Sequence, residues 1–215
     1  MSSSGPVWTR ARLQRVMCLR FGFNRTGGVN TGQAAAEMHV SARTVQRWLH
    51  ASSGRSLAHI PAARLQQLLQ LIRVDPVTVR QEAQQRSYAL EAIARIRPEG
   101  RGPLPVWESK KWLEPHRVMI LQIPVRQLRI RQVTVARDTE RLVAAAHKRG
   151  RVVAEVRVPT KFHATVVAVT VLEMVGSWRF QASSGQVRQG FTQAWLADRT
   201  TPRPDLTTIA ADIPG

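Results

Sequence analysis

Residues 31–50 read Thr31-Gly-Gln-Ala-Ala-Ala-Glu-Met-His-Val-Ser-Ala-Arg-Thr-Val-Gln-Arg-Trp-Leu-His50, and their spacing decides the reading of the first half of the chain. The stretch predicts a helix over 31–38, a short turn, and a second helix over 41–50. Ala35 falls where the two helices cross, and only a small side chain allows that approach. Met38 and Val40 bracket the turn and point inward. Ser41 is suited to cap the second helix, its hydroxyl accepting from an otherwise unsatisfied backbone N–H. Val45 and Trp48 lie three apart on the face that turns inward.

Outward from this pair, the flanking sequence is also helical. Residues 9–22 place Leu13, Val16, Met17 and Phe21 on one face, and a Gly- and Asn-rich stretch from Asn24 to Asn30 ends them. Residues 61–73 open with Pro61, a residue favoured at the first helical position. They carry Leu65, Leu68, Leu69 and Ile72 in a stripe. Asp75-Pro76 breaks the chain, and a further helix is expected from about 77 to 97. At Pro98-Glu-Gly-Arg-Gly-Pro-Leu-Pro105 the composition changes: three Pro and two Gly in eight residues mark a linker or a tight junction.

Beyond the junction the periodicity moves towards two. Residues 117–135 are rich in Val, Ile and Leu, and Pro124 is expected to split them into two strands. Residues 138–148 look helical, ended by Arg149-Gly150. Residues 151–158 alternate, with Val152, Ala154, Val156 and Val158 facing one way. The Val-dense stretch 164–175 favours a buried strand, with a buried helix as the alternative. Residues 186–198 read as a last amphipathic helix, and the Thr- and Pro-rich stretch 199–215 as a flexible tail. The expected class is α+β. A helical domain spans 8–97 with the helix pair at 31–50, a linker 98–105, and a small α+β domain 106–198.

Charge bounds the function. The chain of 215 residues has 32 Lys plus Arg against 14 Asp plus Glu, a formal net charge of +18. It divides evenly: residues 1–99 hold 14 basic and 5 acidic residues, residues 100–215 hold 18 and 9. A GC-rich genome explains 28 Arg against 4 Lys, but not the excess of cations over anions. Such a surface is best relieved by a polyanion. At 43% hydrophobic the chain can still build real cores. The single cysteine, Cys18, excludes a disulfide scaffold and a thiolate zinc site. There is no run of 18 apolar residues, so no membrane partner is expected. The five Arg and no acid in residues 1–36 imitate a transit peptide, but the same helix is needed to cover the 31–50 pair.

Residues 31–50 resemble the helix-turn-helix of the Cro and lambda-repressor type, on Ala35, Val40, Ser41, Val45 and Trp48 at fixed spacing. The resemblance covers about residues 8–75. It departs at His39, where the family often has Gly, which points to a residue with positive φ. It implies that the second helix enters the major groove of double-stranded DNA. Arg43, Gln46, Arg47 and Thr44 become candidate base readers, since Arg matches guanine N7 and O6 and Gln matches adenine N6 and N7. Thr31, Gln33, Ser41 and His50 become candidate phosphate contacts. A second DNA surface is expected from Arg126, Arg129, Arg131, Arg137, Lys148, Arg149 and Arg151. Its alternative is a charged edge that resists aggregation.

No catalytic constellation accompanies these residues. Lys occurs only at 110, 111, 148 and 161, without a nucleophile motif beside it. No His-x-His pair exists, Tyr88 is the only Tyr, and no Gly-rich loop ends in Gly-Lys. No enzyme activity, cofactor or metal is therefore expected. The reading is a sequence-specific transcriptional regulator, a repressor of phage, plasmid or bacterial origin. The Arg bias together with the resemblance suits an immunity repressor of an actinobacterial phage. The alternatives are a DNA-processing accessory protein for replication, recombination or packaging, and a sequence-indifferent DNA coater. The expected assembly is a homodimer or a two-domain monomer. The expected location is the cytoplasm at the nucleoid, or the host cytoplasm if phage-encoded.

Overall fold

The computed structural model describes residues 8–50, 57, 59–187 and 189–214. Among them the chain is α+β, with helices first and a five-stranded antiparallel sheet after them. The first helices are α1 (Arg10–Phe21), α2 (Thr31–Met38), α3 (Ala42–His50) and α4 (Ala62–Ile72). Local chemistry sets their ends. Thr9 caps α1, accepting from the Arg12 amide, and Gly22 closes it at φ 92°. Asn30 caps α2 by accepting from the Gln33 amide. Leu13, Met17, Leu19, Met38, Leu68 and Ile72 meet in one core. Each contributes about 1.5–3 kcal/mol by leaving water.

The next helix, α5 (Pro76–Ile96), is capped by Asp75 and opens on a proline. Residues 98–105 form an ordered junction: Gly102 donates to the Arg95 carbonyl, and Arg95 Nε donates back to the Gly102 carbonyl at 2.8 Å. A short α6 (Pro105–Ser109) follows, with Trp107 against Phe162 at 4.7 Å between ring centres.

Strands β1 (His116–Val125) and β2 (Leu128–Arg137) form a hairpin, and β3 (Arg151–Val158) pairs with the other side of β1. The helix α7 (Glu140–His147) connects β2 to β3. The sheet order is β3-β1-β2-β5-β4, completed by β4 (Arg179–Phe180) and β5 (Ala194–Leu196). One face carries Val118, Ile120, Val133 and Trp195, covered by α8 (Lys161–Met174) and α9 (Leu206–Ala211). The opposite face divides. Met119 and Leu121 pack with Ala146 of α7. Ile130, Phe180, Ala194 and Leu196 join the core of the helical bundle.

Several expectations are corrected. Pro124 does not split the hairpin: β1 runs through it, and the chain turns at Arg126–Gln127, with Arg126 at φ 51°. Pairing with β3 stops at Gln122, so the missing proline N–H is not needed there. Residues 164–174 belong to a helix, not a strand, and Val175 is its C-cap. The helix is apolar all round because it lies between the sheet and α5. The 186–198 helix is absent among the described residues, and 194–196 is instead a strand with Trp195 fully buried. The 199–215 stretch is not a loose tail over its described part. Asp205 caps α9, and Leu206 and Ile209 are buried. The 8–97 and 106–198 units do not stand apart either. The bundle shares its core with Val125, Ile130 and Leu196, and α5 packs on α8.

Among the described residues no helix is long and apolar enough to cross a membrane.

Candidate nucleic-acid interface

The two helices α2 and α3 are joined by a three-residue turn. His39 sits there in the left-handed region, at φ 52° and ψ 48°. This conformation is unfavourable for a residue with a Cβ, and Val40 closes the turn by donating its amide to the Ala35 carbonyl. Ser41 Oγ accepts from the Thr44 amide at 3.1 Å and bonds the Thr44 hydroxyl at 2.9 Å. Both side chains therefore serve as the cap of α3.

The helix α3 is sharply divided. Val45, Trp48 and Leu49 are buried, and Trp48 is core rather than a stacking surface. On the opposite side Arg43, Gln46, Arg47 and His50 form one exposed stripe. Among the described residues none of these four side chains makes a hydrogen bond or ion pair. No acid occurs in α3. Nine residues give a rod of about 13 Å, comparable to the width of the DNA major groove. Gln14 Nε2 donates to the Leu49 carbonyl, which anchors the C-terminal end of α3 to α1.

The expected phosphate contacts separate. Thr31, Gln46 and His50 come together around a groove of about 540 Å³, joined by Arg15, Asn24, Thr26 and Gln127. Gln33 is exposed, but its amide group donates to Glu37 Oε1, and Glu37 pairs with Arg20 at 2.7 Å. Arg15 and the 24–28 loop were missed in the sequence. The Gly-rich stretch reads only as a helix end, although it also folds into a ledge beside α3. Asn24 Oδ1 orders this loop by accepting from the Thr26 and Gly28 amides.

The seven cations expected to form one further surface do not. Arg126 lies over the Phe23 ring at 4.9 Å, and the neighbouring Gln127 donates to the Gly27 carbonyl at 2.7 Å. The hairpin tip thus clasps the 24–28 loop. Arg137 pairs with Glu114 at 3.3 Å. Arg149 donates to Thr134 Oγ1 and Gln132 Oε1, and burial lowers its pKa. Arg129, Lys148 and Arg151 remain exposed around a shallow groove of about 520 Å³. Gly150 is required beside it, since a Cβ there would meet the Gln122 carbonyl oxygen at 2.6 Å. Arg131 lines an adjoining cleft that shares Gln122 and Arg151 with this groove.

Cys18 is buried against the first groove, and burial pushes its thiol up to about 11. A thiol held protonated in this way is a packing residue, not a nucleophile.

Comparison with protein-family models, with curated proteins and with solved structures returns no match.

Proposed function

We propose that the chain binds double-stranded DNA sequence-specifically through α3 and acts as a transcriptional regulator, a repressor. The observation that carries this reading is the outward stripe of α3. It presents two guanidiniums, an amide and an imidazole, with no carboxylate on the helix and, among the described residues, no hydrogen-bond or ion-pair partner for any of the four side chains. Arg43 and Gln46 read base edges, and Arg47 reads a base or a phosphate. Thr31, His50 and Arg15 hold the backbone along the adjoining groove. The net charge of +18 supplies a long-range attraction that steers the encounter.

The test is selection of duplexes from a random library by the intact chain at about 150 mM salt, where non-specific binding is weak. A sharp consensus is expected. A palindromic consensus marks a dimer, and an asymmetric one a monomer. Recovery of no consensus overturns sequence-specific reading and leaves a coater.

A further inference from the structure

On the sheet face that carries α9, a cleft of about 470 Å³ opens beside the strand ends. Its floor follows from register. Gln122 of β1 is paired with Arg131 of β2 on one side and Arg151 of β3 on the other, so the three cross the sheet in one row. The segment 197–204 folds over this row. The Ala197 amide donates to the Arg129 carbonyl at 3.0 Å, and the buried Thr201 donates its hydroxyl to the Leu196 carbonyl at 2.9 Å. This places Arg199 and Arg203 on the rim.

Four guanidiniums therefore line one cleft, with a single carboxylate, Asp198, among them. That carboxylate is already engaged. Its Oδ1 accepts from Thr200 and Thr201, and its Oδ2 lies 3.6 Å from Arg12. Arg131 is only partly compensated. Its Nε and Nη1 are covered and, among the described residues, have no hydrogen-bond partner. Burial and the neighbouring Arg203 both disfavour its charged form, with only Asp198 opposing. Withdrawing a cation from water without a partner is unfavourable, and an anion in the cleft removes that penalty.

We propose that this cleft binds a small phosphorylated ligand, a phosphate monoester or a diphosphate, between Arg131, Arg151 and Arg203. Guanidinium forks match phosphate oxygens two at a time. The cleft is the size of an ordinary small-molecule site. Relative exposure distinguishes the ligand from a duplex: Arg131 is half-buried while Arg199 and Arg203 are exposed, so a compact anion reaches it more readily than a phosphate on a double helix. The site shares no lining residue with the groove beside α3, so it stands independently of the DNA reading.

The test is calorimetric titration of the full chain with inorganic pyrophosphate at constant ionic strength. One saturable site is expected. Arg203→Gln alters an exposed residue, so the fold is retained, and it should weaken binding about tenfold or more. Arg131→Gln should do the same, while Arg43→Ala should leave the titration unchanged. The proposal is overturned if pyrophosphate shows no saturable site, or if neither Arg131→Gln nor Arg203→Gln weakens it. It is also overturned if Arg203→Gln reduces duplex affinity while pyrophosphate does not bind, because the cleft then serves the DNA backbone.

Discussion

Arg179 and Glu82 meet as a two-pronged ion pair, Nη1 donating to Oε2 at 2.8 Å and Nη2 to Oε1 at 2.7 Å. Both residues are buried, and the contact ties β4 to α5 across 97 residues of chain. Arg179 also donates from Nε and Nη2 to the Thr192 carbonyl. Glu82→Ala should destabilise the protein by about 3–5 kcal/mol, because it strands a buried cation. Replacing both partners, as Glu82→Leu with Arg179→Met, should cost far less. Urea midpoints of the two variants check this. Equal losses would mean that the pair is not desolvated as its burial implies.

A second prediction concerns base choice. Gln46→Ala should alter preference at one position of the selected duplex, costing about 1–3 kcal/mol for the preferred base. Arg43→Ala should act at a neighbouring position. Competition binding against single-base variants of the consensus provides the readout. A uniform loss at every site would assign Gln46 to the backbone.

His39 offers a stability test that leaves the interface intact. It is exposed and left-handed, and glycine adopts that conformation without penalty. His39→Gly should raise stability by about 0.5–1 kcal/mol, with unchanged duplex affinity. A lower melting temperature in the variant would reveal a contact made by the imidazole.

The protein should also soften in mild acid. Burial, reinforced by nearby Arg97, lowers the pKa of His163, and burial above all lowers that of His116. Below about pH 6.5 the unfolded chain therefore takes up protons that the folded chain refuses. Stability is full above that point and declines beneath it, by at most about 1.4 kcal/mol per pH unit for each imidazole. Asp138 acts in a separate window. The Arg117 hydrogen bond holds its pKa down, so its contribution is lost only as pH falls below about 3.8. Urea midpoints from pH 5 to 8 should show a shallower slope in His163→Gln than in the parent. Identical slopes would exclude His163 as the titrating group.

The helical part was legible because each helix carries its own signature. The stripe of α1, the cap at Ser41, the break at Asp75-Pro76 and the leucines of α4 are local facts. The helix α8 was not legible as such. Its valines favour a strand, and a helix covered on all sides shows no amphipathic period. Its length of 14 residues and the Thr160 cap are the signals that argue for a helix. Asp205 followed by Leu206 and Ile209 likewise marks α9. Of the interface, the α3 stripe follows from a 3.6-residue period. The union of Arg15 with the 24–28 loop, and of Arg131 with Arg203, depends on contacts between distant segments, which no local pattern contains.

A fifth prediction follows from the shared core. The fragment 1–103 lacks Val125, Ile130, Phe180 and Leu196, which complete the bundle. It should unfold without a cooperative transition and bind dye that marks exposed apolar surface. A sharp melt of the fragment would show that the bundle closes on its own.

The clasp of Gln127 on Gly27 and the sharing of Ile130 with the bundle bear on how such a chain can change over generations. The helix α3 is no exchangeable cassette. Transplanted alone, it would lose the bundle core it packs into, and a foreign helix set in its place would meet a core shaped for another. Under the DNA reading, new operators are then reached by point substitution at 43, 46, 47 and 50, where the residues are exposed. Recombination between distant relatives should yield misfolded hybrids rather than new specificities.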